Sequence, residues 1–446
     1  MNSDAMSIVV KVVLMSGSFV DIDVAVACSI DELRVEAQRR LGVRRGKLLM
    51  SGRRLDGATI VAEAGLKSGD VLALHRDPLS LASTVYAFAA VLADGSVVAW
   101  GDTAHGGNSA PVRARLKNVQ QVQATGSAFA AILADGSVVT WGNPACGGDS
   151  SAVQEQLKNV QRIEAGFHAF VAILKTGSVV TWGEPAFGGD STDEQQKLHN
   201  VQQVSCTGYA FAAILENGSV VTWGHPSHGG DSSAVQHLLK NVQQIKGTLS
   251  SFAAVLADGS VIQWPPSACG ATAVPAPVTN VQTLEAGFHS FAAILADGKL
   301  VTWHHDPWAE LGITVLPFQD VRQVQASDTA FAALLADGTV VSWGDADCGG
   351  NCEAVQGHLK HVQSLTSSGG AFAALIEDGT VVTWGDPSRG GNCSSVQEQL
   401  RNVRCIDANG YAFAATVQNG PIESVVTWGN AFYGGDSTCV QAQLRS

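Results

Sequence analysis

His304, His305 and Asp306, with Trp308 just beyond, form the densest run of side chains able to bind a metal, carry a proton or line a pocket. The wider sequence gives that run no ligand partners. Nine cysteines are scattered without CxxC pairs; the closest, Cys348 and Cys352, lack a matching histidine pattern. Such cysteines read as free thiols of a reducing compartment. The Gly-Gly pairs beginning at Gly106, Gly147, Gly188 and Gly229 are not followed by the Lys-Ser/Thr of a phosphate-cradling loop. Cys352, Cys393 and Cys439 lie near serines with no local histidine to activate them. No catalytic residue, metal or cofactor is therefore expected, and no enzyme activity. The 304–308 run interrupts a repeat, as a drifted loop does, and His304, His305 and Trp308 stand as candidates for binding a partner or lining a pocket.

A second candidate cluster is of docking type. "KLLMSGRRL" (Lys47–Leu55) and "DVLALHR" (Asp70–Arg76) read as short strands. Pleat alternation, phased on Leu48 and Met50 pointing inward, places Leu49 outward, and the same reading sets Leu72 and Leu74 outward with Val71 and Ala73 inward. Leu49, Leu72 and Leu74, ringed by Lys47, Arg53 and Arg54, would form an exposed apolar patch suited to a protein partner; packing of this patch on the rest of the chain is the alternative. The elements before it are "SIVVKVVL" and "FVDIDVAV", two strands around Ser16-Gly17, then "SIDELRVEAQRRLG". In the last, Ser29 and Glu32 have capping-box spacing, Ile30, Leu33 and Leu41 form an apolar stripe, and Gly42 stops the helix. The ββαβ…β order over residues 6–76 resembles ubiquitin. That resemblance implies an α+β β-grasp domain whose patch residues Leu49, Leu72 and Leu74 bind ubiquitin receptors or proteasome-type partners. Residues 1–5 are expected to be disordered. The chain runs on through "HRDPLSLAS" and not to a terminal Gly-Gly, so the domain reads as a fixed module.

The rest of the chain is one pattern repeated. Phenylalanine recurs at Phe88, Phe129, Phe170, Phe211, Phe252, Phe291, Phe331, Phe372 and Phe413, at spacings of 39 to 41 residues. Tryptophan follows twelve places later in eight copies and at Trp428 in the ninth, where residues are inserted near Pro421. Each copy reads as a hairpin: in "AFAAILADGSVVTW" two apolar strands flank Asp135-Gly136, a pair suited to a type I′ turn. A third strand precedes it, as in "NVQQVQA" (Asn118–Ala124). Because both faces of these strands are apolar, each small sheet must be covered on both sides, and sheets stacked in a ring achieve that. The expectation is a mostly-β protein with a β-propeller of about nine short blades over residues 84–446. Residues 77–83 are a linker or the first blade's inner strand, and an open superhelical stack is the alternative. In the connectors, Ser151 with Gln154 and Val153 with Leu157 suggest about two turns of helix. The prolines of copies five and six instead predict extended loops.

"AGFHAFVAILKTGSVVTWG" (Ala165–Gly183) and "AGFHSFAAILADGKLVTW" (Ala286–Trp303) resemble the repeat of the regulator of chromosome condensation family. The short period is similar to the three-stranded blades of beta-lactamase inhibitor protein II. His168 and His289 occupy the family's histidine position; Ser127 and Tyr209 stand there in other copies. The family resemblance implies a propeller that binds protein, with guanine-nucleotide exchange on a small GTPase and nucleosome binding among the family's activities.

Charge narrows the partners. Residues 1–77 hold 11 of the 27 basic and 10 of the 40 acidic residues, a net of +1; the remainder holds 16 and 30, a net of −14. An acidic array disfavours a phosphate backbone, so no nucleic acid is expected. No run of 18 apolar residues occurs, so no membrane partner is expected either. The chain is read as an intracellular monomer, cytoplasmic or nuclear. Its first domain would dock on ubiquitin-pathway receptors and its propeller would hold a client protein. A small-GTPase exchange factor and the substrate-recognition part of a ubiquitin ligase system are the alternatives.

Overall fold

The computed structural model describes residues 7–14, 18–41, 47–50, 53–55, 59–75, 79–265, 278–304, 313–419 and 422–444. The chain divides into two compact units, the first built mainly on residues up to Ser80 and the second on Leu81–Ala90 and Val97–Arg445. None of the described helices is long and apolar enough to cross a membrane.

In the first unit, β1 (Ser7–Val13) and β2 (Phe19–Ala25) pair antiparallel, followed by α1 (Ile30–Leu41), β3 (Lys47–Met50), β4 (Arg53–Arg54) and β5 (Val71–His75). The sheet order is β2-β1-β5-β3-β4, with β1 and β5 parallel. Helix α1 starts where the sequence places it: the Ser29 N–H donates to Glu32 Oε2 at 2.8 Å, and the Glu32 N–H donates to Ser29 Oγ at 3.2 Å. Its buried face of Ile30, Leu33 and Ala37 packs in one core with Val10, Val12, Ile22, Leu48, Leu72 and Leu74.

That core corrects the expected phase of β5. Leu48 lies directly opposite Leu74, and opposed residues of an antiparallel pair share a face. Burying Leu48 therefore buries Leu74, and Leu72 two positions away follows it. Leu72 and Leu74 are 0% and 1% exposed, whereas Val71 is 55% exposed. The sheet's outer face on this strand is Val71 and Ala73, with Ala73 opposite the half-buried Leu49.

The second unit contains nine small antiparallel sheets, eight of three strands and one of four. Copy two shows the plan, with strands at Val119–Ala124, Ala128–Leu133 and Val138–Gly142. The stretch Ser80–Ser83 supplies the first copy's inner strand. In each copy phenylalanine and tryptophan stack across the hairpin, for example Phe129 on Trp141 at 5.0 Å and Phe211 on Trp223 at 5.5 Å. Each sheet's second face packs on the next. Ala128, Ala130, Ile132 and Val138 of copy two share a core with Val160, Ile163, Phe170 and Trp182 of copy three. Full burial of such a phenylalanine contributes roughly 2–3 kcal/mol, and it is available only when the neighbouring sheet is present.

Two local expectations are corrected. The Asp135-Gly136 loop is not a type I′ turn. Gly136 has φ +79°, but Asp135 is not among the positive-φ residues. The Gly136 N–H donates to Leu133 O and the Leu133 N–H to Ser137 O, both at 2.9 Å. This is the three-residue loop in which glycine closes a type I turn with a bulge. Asp135 is selected by its side chain, whose Oδ1 accepts from the Ser137 N–H at 2.9 Å. Two turns of helix occur only in two of the described connectors, as a 3-10 helix at Glu353–His358 and as Thr438–Val440 running into a short α-helix at Gln441–Leu444. Others form pairs of three-residue 3-10 turns, such as Pro144–Cys146 and Ser151–Val153 in copy two. Gln154 ties the connector to the sheet by donating to Val138 O at 3.1 Å, and Leu157 is fully buried. In copy six, Ile313–Leu316 forms a fourth strand paired with Leu300–His304; the proline-rich connector of copy five lies outside the described residues.

Candidate protein-binding face

Neighbouring copies are joined at two radii. Toward the outside, the indole N–H of the repeat tryptophan reaches the preceding copy in eight copies. Trp141 donates to Gly106 O, Trp182 to Gly147 O and Trp223 to Gly188 O at 3.0–3.1 Å. Trp100 of the first copy donates to Gly434 O of the ninth at 3.1 Å. Toward the inside, the turns between first and second strands exchange main-chain bonds. Val85 N–H donates to Gly126 O, Gly126 to Phe167 O, Phe167 to Gly208 O and Gly208 to Leu249 O; Gly410 donates back to Val85 O at 3.3 Å. Among the described residues one step, from Phe288 to Asp328, lacks its bond. Trp343 of copy seven is half-buried, and the counterpart of Gly106 in the preceding copy lies outside the described residues.

These turns frame a single cavity of about 770 Å³, lined by residues of all nine copies. Its floor alternates large with small side chains. Phe167 and Phe288 approach to 6.2 Å between ring centres, and a Cβ on Gly208 would lie 2.8 Å from Phe167 and 2.7 Å from Leu249. The glycines vacate the space that the aromatic and aliphatic residues fill.

Around this floor stand two rings of side chains. The inner ring follows the floor residue of each copy and includes Tyr86, Ser127, His168, Tyr209, His289 and Tyr411. The outer lip is the last residue of the first 3-10 turn after each tryptophan: His105, Cys146, Phe187, His228, Arg389 and Tyr433 among them. The lip backbone is pinned. Thr84, Thr125 and Thr207 hydroxyls donate to the carbonyls of His105, Cys146 and His228 at 2.9–3.1 Å. Ser327, Ser368 and the Asn409 amide do the same for Cys348, Arg389 and Tyr433. A fixed frame thus presents side chains that change from copy to copy, while the phenylalanine and tryptophan beneath never change.

Two aromatic arcs result. Tyr86 stacks on Tyr411 at 5.5 Å and meets Tyr433 at 5.0 Å and His105 at 4.5 Å. Across the mouth, His168 stacks on Tyr209 at 5.5 Å, Phe187 meets both rings at 5.0 Å, and His228 lies 4.7 Å from Tyr209 and 4.5 Å from His225. Burial holds His168 below its ordinary value, and burial with His225 beside it does the same for His228. Cys146 Sγ lies 3.4 Å from His168 Nδ1, yet burial pushes the thiol up. With the imidazole driven toward its neutral form as well, no thiolate–imidazolium pair is favoured, and the pair lacks the chemistry of an activated nucleophile. Among the described residues no group of three or more His, Cys, Asp or Glu side chains could hold a metal ion.

The sequence candidates among the described residues do not line this mouth. Leu49 is half-buried on β3 and Arg53 exposed on β4; Lys47 begins β3. Leu72 and Leu74 are core residues. His304 ends a strand, opposite Ser290; His305 and Trp308 lie outside the described residues. The mouth's two rings were missed. Their signal was available: when the nine copies are aligned, the residues just before the second strand and five after the tryptophan change in chemical type from copy to copy.

No family model and no curated protein matches the chain. Among solved structures it is similar to Prp20p from Saccharomyces cerevisiae, studied for its binding to Gsp1p and histones. That match is 16% identical over 61% of this chain and 82% of that chain, with a TM-score of 0.38. The yeast protein bound to Kap60 matches at 15% identity over 75% and 87% of the two chains, TM-score 0.40. A Caldiarchaeum subterraneum ubiquitin matches at 20% identity over 16% of this chain and 98% of that one, TM-score 0.16.

Proposed function

We propose that the nine sheets close into a nine-bladed β-propeller acting as a non-catalytic protein-binding scaffold, with the mouth of the ring as its client face. The observation that carries this reading is the distribution of variation. Near-identical copies differ in chemical type at the lip and inner ring, where tyrosine, histidine, phenylalanine and arginine gather. These types, tyrosine and arginine foremost, dominate the energetics of protein interfaces, and packing alone gives no reason for them to vary. The first unit is a ubiquitin-like module docking on ubiquitin-pathway receptors through Leu49, flanked by Lys47 and Arg53.

The test captures partners from cell extract on the immobilised full chain. A Tyr86→Ser/Tyr209→Ser/Tyr411→Ser variant is expected to lose clients that an Asp135→Asn/Asp378→Asn variant, altered at the hairpin loops, retains. Clients lost only with the hairpin substitutions would contradict the assignment of the face. Nucleotide release from a small GTPase catalysed by the chain would contradict the scaffold role.

A further inference from the structure

Copies three and eight put different side chains at equivalent stations of the mouth. In copy eight the first 3-10 turn is capped by Asp386 and ends in Arg389, beside Tyr411 of copy nine. The Arg389 guanidinium lies 4.9 Å from the Tyr411 ring centre, 2.7 Å from Asp328 Oδ2 and 3.7 Å from Asp386 Oδ2. Here a tyrosine face and two carboxylates hold a guanidinium supplied by the chain itself.

In copy three the same stations carry Glu184, Phe187 and, from copy four, Tyr209. Phenylalanine stands where copy eight has arginine and Gly126 where Asp328 stands, so this half of the mouth has the aromatic rings and one of the two carboxylates without the cation. Glu184 is also uncommitted. Asp102, Asp345 and Asp386 each use an oxygen to accept from the N–H two residues on, at 2.8–3.0 Å. Glu184 makes no such cap, because its extra methylene carries the carboxylate past the turn. Its side chain has no hydrogen bond or ion pair among the described residues, and its charge acts on His168 and Cys146.

We propose that the arc of His168, Glu184, Phe187, Tyr209, His225 and His228 receives a basic side chain, arginine above all, projecting from the client protein. This rests on the reading of the mouth as the client face. A planar guanidinium stacks on aromatic rings and pairs with carboxylates; in the equivalent site Arg389 lies over Tyr411 and pairs with Asp328 and with Asp386, the counterpart of Glu184. Burial favours the neutral forms of His168 and His228, so neither imidazole holds a fixed positive charge against Glu184. The net charge of −14 beyond residue 77 draws a basic segment toward the mouth.

The test selects a phage-displayed library of random cyclic peptides on the immobilised full chain. Enriched peptides are expected to share an arginine. Their binding is expected to fall at least tenfold on Glu184→Gln and on Tyr209→Ala, to weaken with added salt, and to hold on Glu377→Gln at an exposed hairpin end. Glu184→Gln keeps the side chain's shape, and thermal melts check that both variants are folded. Peptides that depend on Tyr209 but carry no basic residue, or arginine peptides indifferent to Glu184→Gln, would overturn the proposal and leave the mouth as a client face. Peptides indifferent to every mouth substitution would overturn both.

Discussion

Trp100 in the first copy donates its indole N–H to the carbonyl of Gly434 in the ninth, at 3.1 Å across 334 residues of chain. The bond is the one that Trp141 makes to Gly106 in the adjacent copy. The chain's last connector therefore stands to its first sheet as any connector stands to the next sheet.

Gly434 tests this joint. It has φ +99°, and a Cβ there would lie 2.6 Å from Phe88 Cδ2. In a joined ring Gly434→Val is expected to cost several kcal/mol, through strain plus collision with a buried ring, measured by chemical denaturation. In an open stack only the backbone strain, about 1–2 kcal/mol, would remain.

The floor of the mouth gives a milder test. The Cβ of Gly208→Ala would crowd Leu249 Cδ1 and Phe167 Cδ2, both ends of side chains that can shift. The expected cost is about 1–3 kcal/mol, with faster hydrogen exchange at the Phe167 and Leu249 amides. A neutral substitution would show that the floor is loosely packed.

Asp407 sets a pH dependence. Burial pushes its carboxyl up from 3.8 to about 6, and the Cys405 thiol lies 3.8 Å from its Oδ2. An acid whose pKa is raised in the fold carries no penalty below its unfolded value; stability is lost as pH rises from there through 6. Asp407→Asn is expected to stabilise the protein at pH 7.5 by up to about 3 kcal/mol, with the gain gone near pH 4. A gain that persists at pH 4 would place the effect outside ionisation.

In the first unit, Leu49→Asp and Leu74→Asp should behave differently although the sequence grouped them. Leu74→Asp buries a charge in the core and is expected to unfold the domain. Leu49→Asp is expected to cost under about 1 kcal/mol and to abolish NMR titration shifts with a ubiquitin-receptor peptide. Undiminished shifts would exclude Leu49 from the docking surface.

The repeat was legible because nine copies state the same hydrophobic pattern, so strand length and the Phe88–Trp100 pairing could be read many times over. The phase of β5 was not, because Val71, Leu72, Ala73 and Leu74 are all apolar and alternation gives no sign of which side is inside. Only the register opposite Leu48 decides it. The connectors misled for another reason: Ser151 and Gln154 have capping-box spacing, but Gln154 bonds to Val138 across the blade, a tertiary preference invisible locally. The mouth was hidden by its own logic. Attention to what the copies share draws the eye to Phe129 and Trp141, and away from His168, Phe187 and Tyr209, where they differ.

The account turns on nine sheets enclosing one mouth, and electron microscopy of the purified chain, viewed along the axis, tests that most directly. The expected result is a closed ring of nine densities with the Trp100 sheet against the Gly434 connector. An open spiral, with those two elements on separate ends, would contradict it.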